Sequence, residues 1–145
     1  MKRLRLIITL LLLLSVVSIS EDSIVFGDYE FHESEPLSPL IEAISLVESN
    51  GIDSLIGDNG RAYGRLQIHQ CVLDDVNRVQ GTSFTLNDCF HFPTAVKIFY
   101  HYQDIYNPSF DTIKAIRIWN GGPKGHLKSS TKPYLNKVLT QLSKL

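Results

Sequence analysis

The chain has 145 residues, of which 43% are hydrophobic and 20% charged, with two cysteines and a formal net charge of −1. That length suits one domain of ordinary size, and the composition is globular rather than disordered. Two cysteines exclude a disulfide-stapled mini-protein and a four-cysteine zinc module, and the charge gives no sign of a nucleic-acid partner.

Residues 1–20 form the first element. Lys2, Arg3 and Arg5 precede a mostly apolar run from Leu6 to Ile19, and Ser18 and Ser20 stand as small residues two apart. This is the pattern of a secretory signal peptide, too short to read first as a spanning helix. Export to the periplasm or the extracellular space is the expectation, with an uncleaved anchor as the alternative and the only membrane contact. Without residues 1–20 the chain carries 11 basic and 15 acidic residues, all the acidic ones between Glu21 and Asp111. From Thr112 to Leu145 there are seven basic residues and no acidic one. This is either a solvated basic face or a surface that favours an anionic polymer.

Residues 21–37 read as an acidic leader, and 38–145 as the folded domain. Ser38-Pro39 starts a helix, with Ser as N-cap and Pro in the first turn; Leu40, Ile41, Ile44 and Val47 recur at helical spacing, and Asn50-Gly51 ends it. Between 52 and 68, Gly57, Asp58, Asn59, Gly60 and Gly64 mark turns and Leu66 and Ile68 flank Gln67, which predicts a short hairpin or irregular ribbon. A second helix is predicted from about His69 to Gln80, with Val72, Val76 and Val79 on its inner face and Gly81 as its stop. A third opens at Phe92-Pro93 and carries Val96, Phe99, Tyr102 and Tyr106 to Asn107-Pro108. A fourth is capped by Asp111 and ends at Asn120-Gly121-Gly122-Pro123, and the last begins at Pro133. The expected class is α+β, mainly helical, with a small β element after the first helix.

In an oxidising compartment Cys71 and Cys89, 18 positions apart, can form a disulfide worth roughly 3 kcal/mol in the chain-entropy model; two buried free thiols are the alternative. His32, His69, His91, His101 and His126 lack tight metal-ligand spacing, so no metal or other cofactor is expected.

Glu48 is the residue most suggestive of chemistry. It follows Ile44 by four and Ile41 by seven, on the buried stripe of its helix, and it lies in the last turn, where the helix dipole disfavours negative charge. Both effects raise a carboxyl pKa, as a general acid near neutral pH requires. A solvated glutamate at a helix end is the plainer reading.

Four segments bear on that choice: Val47-Glu48-Ser49; Gly57-Asp58-Asn59-Gly60-Arg61-Ala62-Tyr63-Gly64-Arg65-Leu66-Gln67-Ile68; Ile118-Trp119-Asn120-Gly121-Gly122-Pro123-Lys124-Gly125; and Lys132-Pro133-Tyr134-Leu135-Asn136-Lys137-Val138. Together they resemble the invertebrate-type (destabilase-like) lysozymes, and more closely the cysteine-poor bacterial relatives of that group. The wider pattern, Glu-Ser, then Gly-x-x-Gln-Ile, then Asn-x-Gly-Pro, is shared with lytic transglycosylases. The resemblance spans about residues 38–139. Each motif alone is weak, and the ordered set is specific.

The resemblance implies a lysozyme-like fold and an exported muramidase acting on peptidoglycan glycan strands, with Glu48 protonating the glycosidic oxygen. Glycosidases of this kind pair such an acid with a second carboxylate. Asp58 is the nearest match, although its segment is slightly short and the residue is also a good turn former; Asp53 is the weaker choice. Without a second carboxylate the product becomes the anhydro sugar of a lytic transglycosylase, and a non-catalytic wall-binding module is a further alternative. The resemblance places Tyr63, Gln67, His69 and Asn120 along the sugar cleft, and Gly64 where backbone approaches the sugar. Trp119 stacks either on sugar or in the core.

Overall fold

The computed structural model describes residues 38–145. The expected signal peptide (1–20) and acidic leader (21–37) lie outside the described residues.

The first helix, α1, spans Pro39–Ser49. Leu40, Ile41, Ala43 and Ile44 form its buried face. Asn50 turns into the left-handed region at φ 53°, its N–H returns to Leu46 O, and the Gly51 N–H returns to Ser45 O. This paired closure satisfies the last carbonyls, as the Asn-Gly pair predicted.

Three two-residue strands follow: β1 (Ile56–Gly57), β2 (Ala62–Tyr63) and β3 (Ile68–His69). They make one antiparallel sheet in the order β1-β2-β3, with Ile56 opposite Tyr63, Gly57 opposite Ala62, Ala62 opposite His69 and Tyr63 opposite Ile68. The β1–β2 turn runs through left-handed backbone at Asp58, Asn59 and Gly60, with φ of 46°, 54° and 84°. These are residue types that tolerate that region.

Helix α2 spans Gln70–Gln80 and stops at Gly81, φ 67°. Its buried residues are Leu73 and Val76, whereas Val79 is exposed. The inner face is therefore turned from the predicted Val72–Val76–Val79 stripe, because Asn77 faces inward and its side chain bonds the Phe84 backbone through both Oδ1 and Nδ2. A five-residue 3-10 segment, Leu86–Phe90, was not predicted. It is started by Thr85, whose N–H and hydroxyl both donate to the Asp88 carboxylate at 2.7 Å.

Helix α3 spans Phe92–Tyr106 and α4 spans Thr112–Gly121. Buried Asn107 joins them: its Oδ1 accepts from the Asp111 N–H, and its Nδ2 donates to Asp111 O. Asp111 caps α4 by accepting from the Lys114 N–H at 2.7 Å, as expected. From within α4, Arg117 donates to Thr131 Oγ1 and Lys128 O, folding the Gly-rich segment back before α5, Lys132–Leu142.

The core is continuous through α1, the sheet, α2, α3, α4 and α5, centred on Ile41, Ile44, Leu66, Ile68, Phe99, Ile116 and Val138. The described residues are thus mainly helical with a small β element directly after α1, as the sequence predicted, and that element is a three-stranded antiparallel sheet.

Candidate functional site

Glu48 lies in the last turn of α1, the helix most extensively packed against α5. Tyr134, in the first turn of α5, donates its hydroxyl to Glu48 Oε1 at 2.6 Å. Burial pushes the Glu48 carboxyl from its ordinary 4.5 up to about 7, and the tyrosine bond opposes that shift because it favours the ionised form. Burial and the adjacent carboxylate hold the Tyr134 hydroxyl well above its ordinary range, so it acts as a neutral donor. At neutral pH a large share of Glu48 is protonated, and one of its oxygens is held in a fixed direction.

The neighbouring residue joins this helix end to the ribbon. Ser49 is buried, and its hydroxyl lies 2.8 Å from Arg65 O and 3.1 Å from Ser45 O. The Trp119 indole N–H donates to Leu66 O from α4, at 3.2 Å. Successive carbonyls of the segment entering β3 are thereby pinned by α1 and α4. Trp119 packs at a tilt against Phe99 and edge-on against Tyr102, at ring distances of 4.8 and 5.9 Å. Of its two sequence readings, the structure supports packing.

Gln67 follows with φ 51°, a conformation uncommon for a residue other than glycine. Its Nε2 donates to Gly64 O at 2.8 Å and Leu55 O at 3.3 Å, and a Cβ added at Gly57 would meet its Oε1. The amide therefore clasps the ribbon to itself, and its donor is already engaged. Gly64 is likewise explained within the chain. At φ 72°, with Cys89 O where its Cβ would stand, it lets the 3-10 segment approach the ribbon.

Asp58 is exposed and sits in its expected turn. Arg61 donates to Asp58 Oδ1 at 2.9 Å and to Asp58 O at 3.1 Å, and His69 Nε2 stands 3.8 Å from Oδ2. Asp53 is held by two donors of Arg65, at 2.7 and 3.4 Å; that guanidinium also stacks over Phe92 at 4.1 Å. Each candidate second carboxylate thus has an arginine partner, and no hydrogen bond or ion pair joins either to Glu48 among the described residues. Tyr63 donates to Gly60 O at 2.6 Å and meets Phe90 edge-on, so its ring is half-buried against the protein. Asn120 is exposed at the end of α4.

The structure gathers Asp58, Tyr63, Gln67 and His69 on the ribbon and places Glu48 at the helix end tied to it. Tyr134 was missed as a partner of Glu48. Its segment carries the resemblance, and a tyrosine opening a helix of apolar spacing is a residue whose hydroxyl needs a buried partner.

The expected Cys71–Cys89 disulfide is not formed. Cys71 is exposed on α2, whereas Cys89 is buried in the 3-10 segment with its Sγ 3.8 Å from Thr85 O. Burial pushes the Cys89 thiol up to about 11, which makes it an inert core residue. Among the described residues, no group of three or more His, Cys, Asp and Glu side chains is placed to hold a metal ion.

No family model, curated protein or solved structure compared with the chain matches it.

Proposed function

We propose that the protein is an exported glycosidase of lysozyme-like fold that cleaves peptidoglycan glycan strands, with Glu48 as general acid. The observation that carries this reading is the Glu48–Tyr134 pair: a carboxyl raised to about 7 by burial and held by a neutral hydroxyl, one residue before the serine that pins the ribbon. A carboxylic acid held protonated near neutrality can give its proton to the glycosidic oxygen as the C–O bond breaks. The sugar left behind carries oxocarbenium character, and water attack on it, with the water's proton passing to the Glu48 carboxylate, yields a reducing end. The motif order, the basic stretch from Thr112 onward and the N-terminal export pattern support the same substrate.

A second reading is favoured by the arginine partners of Asp58 and Asp53. With both aspartates engaged by arginines, Glu48 works as a lone carboxylate. Having protonated the leaving oxygen, it takes the proton of the 6-hydroxyl as that oxygen attacks C1, which gives the anhydro sugar of a lytic transglycosylase.

Digestion of purified peptidoglycan, followed by mass spectrometry of the soluble fraction, tests the proposal. Released muropeptides with reducing ends support hydrolysis, and anhydro ends support the transglycosylase route. Binding without release assigns the fold to a wall-binding module and removes the enzyme reading.

A further inference from the structure

Beside the Glu48–Tyr134 pair lies an open groove of about 410 Å³ lined by Val47, Asn136, Lys137, Thr140, Gln141 and Lys144. Both its charges are positive, neither lysine has an ion-pair partner among the described residues, and no acidic residue occurs from Thr112 onward. Nothing in the chemistry proposed above uses this groove.

We propose that residues 21–37 of the same chain seat on it. This stretch carries six acidic residues (Glu21, Asp22, Asp28, Glu30, Glu33, Glu35) and no lysine or arginine, so its charge is the complement of the groove. Its point of attachment is favourable. Glu48 near the end of α1 meets Tyr134 near the start of α5, and the two helices pack along one another. They therefore run in opposite directions, which brings Ser38, where the acidic stretch joins, to the Lys144 end of α5.

Reach is ample: an 11-residue helix is ~16 Å long, and 17 residues can extend to ~55 Å. Exposed ion pairs are individually weak, but tethering supplies an effective concentration on the order of millimolar. Ile24, Val25, Phe26 and Phe31 provide apolar cover for Val47 and for the lysine stems. This seating holds whether or not Glu48 is a catalytic acid.

Carbodiimide coupling of the protein isolated with residues 21–37 intact tests the proposal, read by peptide mass spectrometry on a mixture of isotopically heavy and light chains. Bonds from Asp28, Glu30, Glu33 or Glu35 to Lys137 or Lys144, within one chain and suppressed in high salt, are expected. Heavy–light products would assign the groove to a second copy, and coupling spread evenly over Lys97, Lys114 and Lys124 would show no seat; either overturns the proposal. The combined variant Asp28→Asn, Glu30→Gln, Glu33→Gln, Glu35→Gln leaves the described domain untouched. Its amides over 136–144 should exchange with deuterium about fivefold faster than those of the parent. Unchanged exchange, or protection gained only on adding an anionic polysaccharide to parent and variant alike, overturns it.

Discussion

A carboxylic acid that donates a proton near pH 7 must be protonated there, and Glu48 meets that condition through burial rather than through a neighbouring charge. The same burial has a cost in stability with a defined sign. The folded pKa lies above the unfolded one, so the contribution of Glu48 is complete below about pH 4.5 and is lost as the pH rises through about 7. The wild type should lose up to ~3 kcal/mol across that window, and Glu48→Gln, which is neutral throughout, should keep it. Denaturant unfolding at pH 4.5 and pH 8 checks this, and parallel pH profiles for the two proteins would contradict it. Tyr134 acts in the opposite direction, since its bond favours the ionised carboxylate. Tyr134→Phe should raise the Glu48 pKa further and move the alkaline limb of the pH–rate profile upward by a fraction of a unit to ~1 unit, with a lower maximum. A limb that moves downward would mean that the hydroxyl has another role.

At the scale of elements, the ribbon is held less by its own ladder, whose strands are two residues long, than by outside contacts with its third strand's approach. Ser49 and Trp119 pin successive carbonyls, and the 3-10 segment presses its Cys89 carbonyl onto Gly64. Gly64→Ala introduces both a left-handed strain and a Cβ that collides with Cys89 O. It should cost ~3 kcal/mol or more, whereas Gly60→Ala, with φ +84° but nothing within 4 Å, should cost ~1 kcal/mol. Denaturant midpoints of the two variants should separate accordingly; equal losses would show that strain alone acts at Gly64. The helices themselves were legible because each carries its own punctuation, Pro39 and Asn50-Gly51 for α1 and Asp111 for α4, although the Ser38 hydroxyl expected to cap α1 makes no capping bond. The inner face of α2 was not legible, because an inward asparagine bonded to Phe84 breaks the apolar count. The roles of Gln67 and Gly64 were hidden for a related reason: their partners, the carbonyls of Leu55, Gly64 and Cys89, are backbone groups that leave no mark in the sequence.

For the whole molecule, two elements far apart in sequence build the candidate acid. Tyr134 lies 86 positions from Glu48, so their contact follows from how α1 and α5 pack rather than from any local pattern. The position of Glu48 on its helix foretold its raised pKa, while Tyr134 could be found only in three dimensions. The cysteines show the reverse: spacing and the expected compartment suggested a bond, but the fold turns Cys89 into the core and Cys71 to the surface. A thiol reagent should therefore label one cysteine per native molecule and two after unfolding; a native count of zero that persists on unfolding without reductant would restore the disulfide. The most direct test of the Glu48 proposal is the rate at which the protein releases soluble muropeptides from purified peptidoglycan, wild type against Glu48→Gln, with both shown to be folded. The expected result is release by the wild type and a loss of about 100-fold or more in the variant. Comparable release by the two proteins would contradict the assignment of Glu48 as the acid.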